Sequence, residues 1–416
     1  MPITPDIKKH FPIFKHQPDL VYLDSAATAL KPQAVMETAR GYEETYSANI
    51  GRGLYPIAEQ ATEAFEAVRD QTARFIGATS REIIFTKNTT DSLNMVAIWI
   101  APRLRTGDNI VITAAEHNAN YLPWVELAEA KGIELRVAPF NTEGLIERDT
   151  LASLVDLRTV LVAFGAVSNV FGAINPVRDL IQAIKAKNQQ ALTIIDAAQA
   201  VGHIPIDTHD WDADFVAFSA HKLYGPTGVG ILYGKAMLLE TLPPLTFGGG
   251  MVLDACPPKD GRASSPTREY KDIPYRFEAG TPNISGVIGW GAALDFLEKT
   301  GIENIRAHEA SLVTYALAKL QESFGEKIQL LGPQEPTLHS GLIAFTLEGI
   351  HPHDLAHILG EQGICIRAGE HCASPLHRKL NLTATARVSF GLYNSSEDID
   401  TLIEGIKNAR TVLQKS

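Results

Sequence analysis

The sequence predicts an α/β protein built on a mainly parallel sheet, with a smaller α+β unit at its C-terminal end. Three observations carry this. Seven short apolar runs recur at 82–85, 109–113, 134–138, 159–163, 192–195, 215–218 and 230–233. Helical stretches fall between or before them, among them 58–75, 93–101, 121–130 and 176–186. The runs are nearly continuous in apolar residues rather than alternating, as strands buried on both faces must be. Helices cover such a sheet on both sides, and ligands bind it beyond the carboxyl ends of the strands.

After the seventh run, the segment 248–271 is rich in Gly, Pro and charge and shows no clear period. It reads as a long excursion, functional or at a subunit contact, because structureless loops of that length are uncommon in a compact domain. Beyond about residue 294 the pattern changes. A long helix at 303–323 leads to two strand-like runs, a helix at 352–359, and strands at 364–367 and 387–390. Ser395 and Asp398 resemble the capping start of a terminal helix. The expected organisation is a large domain over 20–294 and a small domain over 295–416, joined by an N-terminal arm over 1–19.

Composition narrows the function. The chain has 416 residues, 45% hydrophobic and 20% charged, with a net charge of −11. An acidic balance argues against nucleic acid as a partner. Residues 1–10 carry no apolar signal region, and the apolar run at 93–101 is far too short to cross a bilayer, so no membrane is expected. The three cysteines, Cys256, Cys365 and Cys372, form neither a disulfide framework nor a metal-ligand pattern. No metal is expected, and the expected address is the reducing cytoplasm.

The candidate chemistry falls at strand ends. Lys222 leaves the run 215–218 and is followed at once by Gly225-Pro226-Thr227-Gly228; Asp196 closes the run 192–195. A desolvated lysine amine can form a Schiff base with an aldehyde cofactor, and an upstream acid can keep a pyridine nitrogen protonated. Singly, Asp196 reads as a helix cap and Lys222 as a strand end. Asn88-Thr89-Thr90-Asp91 opens a helix, where free N–H groups and hydroxyls can seat a phosphate or simply cap the helix. His117 can stack on an aromatic cofactor or be an ordinary loop histidine. Asn169 can donate to a cofactor oxygen or a substrate carboxylate, or serve as a turn residue. Ser219 and His221 flank the lysine and can add phosphate donors. In Arg367-Ala368-Gly369-Glu370-His371-Cys372-Ala373-Ser374-Pro375, a cysteine on a Gly/Pro-bounded loop beside a histidine can be a nucleophile, while Glu370 disfavours the thiolate. Arg387 can hold a carboxylate bidentately or form a structural ion pair.

Taken in order, these motifs carry a resemblance from about residue 11 to residue 413. Besides those above it includes Val21-Tyr22-Leu23-Asp24-Ser25-Ala26-Ala27-Thr28, Glu116-His117, Val167-Ser168-Asn169-Val170, Asp196-Ala197-Ala198-Gln199, His221-Lys222-Leu223-Tyr224-Gly225 and Arg276-Phe277-Glu278-Ala279-Gly280-Thr281-Pro282-Asn283. The chain resembles the fold-type I pyridoxal 5'-phosphate (PLP) enzymes of the class V aminotransferase group. Within that group it is similar to the SUF-type (group II) cysteine desulfurases and their selenocysteine lyase and sulfinate desulfinase relatives. The short loop with His371-Cys372 points to that branch.

The resemblance implies a seven-stranded large domain, a small C-terminal domain and a homodimer. It implies that Lys222 carries the cofactor and moves the Cα proton, Asp196 pairs with the pyridine nitrogen, Gln199 bonds the ring hydroxyl and His117 stacks on the ring. Thr89, Thr90, Ser219 and His221 then hold the phosphate, with Thr281 reaching it across a dimer interface. Asn169 and Arg387 receive the substrate carboxylate, and Cys372 accepts sulfur from L-cysteine or L-selenocysteine before passing it to an acceptor protein, as in iron–sulfur cluster assembly. Four positions depart from the family pattern: Gly51 and Ala166 stand where histidines are usual, Ala368 where a hydroxyl residue is, and Glu370 where histidine or glutamine is. The other readings are a carbon–sulfur lyase or selenocysteine lyase on the same scaffold, and a non-catalytic PLP-binding scaffold, which loss of Lys222 or Arg387 would have favoured.

Overall fold

The computed structural model describes residue 3, residues 5–256 and residues 267–413. The seven runs form one sheet: β1 (Ile83–Thr86), β2 (Asn109–Thr113), β3 (Glu134–Ala138), β4 (Thr159–Gly165), β5 (Leu192–Asp196), β6 (Phe215–Ser219) and β7 (Gly230–Gly234). Their spatial order is β1-β7-β6-β5-β4-β2-β3. Strands β3, β2, β4, β5 and β6 run parallel, whereas β7 is antiparallel to both β6 and β1. The reversal has a simple cause. The link from Ser219 to Gly230 is shorter than the dozen or so residues a parallel crossover needs, so the chain turns back beside the strand it has just left.

Alternate residues along each strand feed two cores. Val111, Val162, Phe164, Ile195 and Phe218 pack with Phe65 and Val68 of the helix Pro56–Phe75 and Val287 and Leu294 of the helix Ile284–Thr300. Ile110, Ile112, Leu161, Ala163, Ile194 and Phe215 pack on the opposite face with Leu93, Val96 and Trp99 of the helix Thr89–Ile100 and Trp124 of the helix Leu122–Lys131. Each such Val, Leu, Ile or Phe contributes about 1.5–3 kcal/mol on burial, which is why the inner strands are nearly continuous in apolar residues. The edge strand β3, with Glu134 and Arg136, is by contrast largely not buried. The helix expected at 93–101 begins four residues earlier because Asn88 caps it, its side chain accepting from the Asp91 N–H at 2.9 Å.

The C-terminal unit is a four-stranded antiparallel sheet in the order Ile328–Leu331, Leu342–Leu347, Thr385–Ser389, Arg367–Gly369. Helices Ile302–Phe324 and Ser396–Leu413 back it through Leu312, Leu320, Leu402 and Ile406 against Ile343, Phe345 and Val388. Val21–Tyr22 pairs in parallel with Ile364–Cys365, so Val21 and Leu23 belong to this core. Ile7 and Phe11 instead sit in the core of the large sheet, Phe11 lying edge-on to Tyr393 at 4.9 Å. The segment 248–271 is not without regular structure: Val252–Cys256 pairs antiparallel with Thr267–Tyr270, and 257–266 lies outside the described residues. Residues 252–256 are mostly exposed, so the strand has no buried face to impose an alternating pattern on the sequence.

Candidate active site

The strands β1, β2, β4, β5 and β6 point their carboxyl ends at one place. Thr89 and Thr90 follow β1, Glu116 and His117 follow β2, Asn169 follows β4, Asp196 closes β5 with Gln199 three residues on, and Ser219 ends β6 with His221 and Lys222 in the turn after it. All of them line a single cavity of about 310 Å3. The C-terminal unit closes it with Arg367, His371, Cys372 and Arg387. Of the residues given a catalytic or binding role from sequence, Thr281 lies elsewhere. It is exposed and lines a separate cavity of about 510 Å3 with Asn49, Gly51, Arg52, Glu66 and Lys271.

At the cavity floor, burial pushes the Lys222 amine down to about 8, with the charges of Arg387 and Arg367 adding to the effect and Asp196 opposing it. Among the described residues its Nζ has no hydrogen-bond or ion-pair partner. Burial raises Asp196, while Lys222 and the Ala198 N–H, 2.9 Å from Oδ1, hold it down. His117 is neutral: burial first, then the charges of Lys222 and Arg387, lower it to about 4. Its Nδ1 accepts from the Ala119 N–H at 3.0 Å, which leaves Nε2 as the protonated nitrogen. Beneath it, Glu116 is raised to about 7 by burial although Thr113 Oγ1, Asn120 Nδ2 and the Gly165 N–H all donate to it. Glu116 thereby ties the loop after β2 to the end of β4.

One wall is built from helix-start donors and hydroxyls. Ser219 Oγ lies 2.8 Å from the Thr89 N–H and 2.6 Å from Thr89 Oγ1, and the exposed Thr90 follows in the first helical turn. The approach is close because β7 begins with glycine: a Cβ at Gly230 would stand 2.5 Å from the Asn88 backbone nitrogen. His221 Nδ1 is 3.3 Å from Thr28 Oγ1, and burial together with Lys222 and Lys31 lowers it to about 4. Gln199 Nε2 donates to the Ala26 carbonyl at 2.8 Å.

The opposite wall is cationic. Arg387 is 3% exposed; its Nη1 donates to the Asn169 carbonyl at 2.8 Å, Nη2 lies 3.5 Å from Asp24 Oδ1, and Nε is buried without a partner. Arg367 is paired in register with it on the neighbouring strand and shares Asp24 at 3.2 Å. This pairing of two arginines through Asp24 had no signal in the sequence, since it requires knowing that the strands are adjacent. Asn169 Nδ2 donates to the His371 carbonyl at 2.7 Å, and the Asn118 N–H donates to the Cys372 carbonyl at 2.6 Å, so the cysteine loop is pinned from two sides. Cys372 is exposed.

These groups fit an anionic, aromatic aldehyde cofactor and a carboxylate substrate. An amine without a partner, an acid able to face a ring nitrogen, hydroxyls at a helix N-terminus and an unsatisfied guanidinium N–H are what such ligands need. The departures sort differently. Gly51 adopts φ 93°, where a side chain is strained, and lines the second cavity. Ala166 is fully buried in the core of the large sheet. Ala368 faces Ala386 across the small sheet, and Glu370 accepts from Ser374 Oγ at 2.6 Å.

Comparison with known proteins agrees with this geometry. The chain is 43% identical to a probable cysteine desulfurase of Halalkalibacterium halodurans, with 97% of each covered. It is 41% identical to a cysteine desulfurase of Pectobacterium carotovorum, with 98% of each covered. Its structure is similar to the apo cysteine desulfurase of Thermococcus onnurineus (TM-score 0.91, 36% identity, 98% of each chain). It is also similar to the cysteine desulfurase CsdA of Escherichia coli (TM-score 0.88, 37% identity, 98% of this chain and 99% of that one). The model of the aminotransferase class-V family matches residues 21–402, and with the strand-end site, the unpartnered lysine and these full-length relatives the chain belongs to that family of PLP-dependent enzymes.

Proposed function

We propose that this protein is a PLP-dependent cysteine desulfurase, converting L-cysteine to L-alanine with sulfur carried on Cys372 as a persulfide. The observation that carries it is the meeting of Lys222, Asp196, Arg387 and Cys372 in one cavity. PLP, when bound, supplies an electron sink for a carbanion at the substrate Cα. Thr89, Thr90, Ser219 and His221 would hold its phosphate, Asp196 its ring nitrogen, Gln199 its hydroxyl and His117 the face of its ring. An amine lowered to about 8 is partly unprotonated near neutrality, so Lys222 can bond an aldehyde and later hold and return the Cα proton. Arg387 and the Asn169 amide would orient the substrate carboxylate.

Cys372 Sγ, as thiolate, then attacks the substrate sulfur. A sulfur–sulfur bond forms and the Cβ–S bond breaks, its electron pair staying on the carbon skeleton, which takes up protons to become alanine. An acceptor protein's thiolate then attacks the outer sulfur of the persulfide. A new sulfur–sulfur bond forms, the old one breaks, and Cys372 is returned as thiolate, the sulfur going to iron–sulfur cluster assembly or another sulfur-transfer pathway. With this reading go a homodimer in which Thr281 serves the neighbouring subunit's phosphate, a cytoplasmic address, and a domain scheme of 20–294 and 295–416 with the arm 1–19. No helix of the described residues is long and apolar enough to cross a membrane.

The test is a product assay with L-cysteine and a reductant, comparing the natural protein with Cys372→Ala. Alanine and sulfide should form one for one and fall at least about a hundredfold in the variant. Pyruvate and ammonia unchanged in Cys372→Ala would make the protein a carbon–sulfur lyase instead. Faster turnover of L-selenocysteine that is indifferent to Cys372 would make it a selenocysteine lyase.

A further inference from the structure

A second hydrogen-bond system holds the cysteine loop, and none of the roles above requires it. Thr385, fully buried, presents Oγ1 to two imidazoles, His371 Nε2 at 2.8 Å and His377 Nε2 at 3.1 Å. The proton positions follow from counting donors. The Ala373 carbonyl lies 3.1 Å from His377 Nδ1 and can only accept, so Nδ1 carries the proton. A neutral His377 then has a bare Nε2, which takes the single hydroxyl proton of Thr385. Thr385 Oγ1 is left to accept, so His371 is protonated at Nε2 and bare at Nδ1. His371 Nδ1 is indeed buried without a partner. Burial lowers both rings, His371 further through the charges of Arg387, His377 and Arg367, so each is neutral as this count requires.

The bonds therefore run one way, from His371 through Thr385 and His377 to the Ala373 carbonyl. They begin and end in the loop that carries Cys372. That loop contains a conformation in need of support: His371 and Cys372 are both left-handed, at φ 53° and 56°, and neither is glycine. The turn also sets where the sulfur stands. Cys372 lines the catalytic cavity on one side and, on the other, an external groove with Ile98, Leu122 and Leu127. We propose that His371, Thr385 and His377 form one positioning unit that holds the left-handed turn at Cys372, so that its sulfur borders both the cavity and the exterior. The functional half of this inference rests on Cys372 being the sulfur acceptor; the conformational half does not.

The test compares Thr385→Val, which keeps the shape and removes the hydroxyl, with Thr385→Ser, which keeps the hydroxyl. Amide hydrogen exchange over 370–374 is followed in the full-length protein, beside steady-state kinetics with L-cysteine. Thr385→Val should raise exchange in the loop about tenfold, the equivalent of one net hydrogen bond, and lower kcat by a similar factor with KM within about twofold. Thr385→Ser should restore both. Exchange and kcat unchanged in Thr385→Val, or equal damage in Thr385→Ser, would overturn the proposal, the latter by showing that packing rather than the hydroxyl matters. If Thr385→Val fails to fold, His377→Phe removes the far end of the relay and must produce the same loop-confined exchange. The exchange readout needs no turnover. A protein that forms no alanine would defeat the desulfurase reading while leaving the positioning unit to be judged by exchange alone.

Discussion

Histidine 117 shows how a residue's surroundings fix its chemistry. Burial and two neighbouring cations hold it neutral down to about pH 4, and His221, buried beside Lys222 and Lys31, behaves alike. His339, fully buried beside Gly172 and Gly332, is lowered to about 4 by burial as well. The unfolded chain binds protons at these positions near pH 6.5, while the folded chain does not until about pH 4. More protons on the unfolded state means that stability rises with pH across that window and is lost as pH falls through it. Each histidine contributes a slope of up to about 1.4 kcal/mol per pH unit. Glu116, raised to about 7, works the other way by holding a proton in the folded chain across the same window, so it offsets part of the histidines' slope. Urea unfolding of the cofactor-free protein between pH 6.5 and 4.5 should still show a net loss, less steep in His117→Gln. An unchanged slope in that variant would mean that His117 is not held neutral by the fold. The site was readable at this scale only in combination: singly Lys222 reads as a strand end and Asp196 as a helix cap. It is their falling at successive strand ends, with Cys372 on a Gly/Pro-bounded loop, that points to chemistry. Thr385 and His377 were not readable: a threonine opening a short buried strand and a histidine on a six-residue helix carry no mark of the bond they share.

Single elements place these residues, and their local logic was visible in part. The cap at Asn88 and the strand before it announce a helix start beside the cavity, and the helix Thr89–Ile100 is long enough for its N-terminus to favour an anion. What the sequence could not show is that Ser219, on a strand two places away in the sheet, occupies the Thr89 N–H. If this wall seats a phosphate, Ser219→Ala removes a hydroxyl donor from it. PLP affinity should fall about tenfold, with KM for L-cysteine within about twofold at saturating PLP. Titration of the cofactor-free variant with PLP, followed by absorbance, checks this; undiminished affinity would move the phosphate elsewhere. The direction of β7 was equally hidden, since an apolar run looks the same in either direction and only the short link from β6 betrays it. The ladder of Val252–Cys256 with Thr267–Tyr270 escaped for the opposite reason, having no buried face to read.

On the scale of the whole molecule, Thr281 is the residue that a single chain leaves unexplained. It faces a cavity of about 510 Å3 apart from Lys222 and its neighbours, yet the resemblance assigns it to a phosphate. A symmetric dimer reconciles the two, because a residue outside its own site can complete the partner's. The consequence can be tested by mixing defective subunits. Thr281→Ala should weaken PLP binding about tenfold, and Lys222→Ala should abolish turnover. In a hybrid of the two, one site draws Lys222 from the first chain and Thr281 from the second, so it is fully natural, while the other lacks both. Unfolding and refolding the variants together at equal amounts should yield about half hybrids, and so about a quarter of the natural complement of sites. At PLP concentrations too low to load Thr281→Ala alone, activity should therefore appear only in the mixture. If Thr281 served its own chain, each hybrid would carry one site without the lysine and one without the threonine, and mixing would restore nothing.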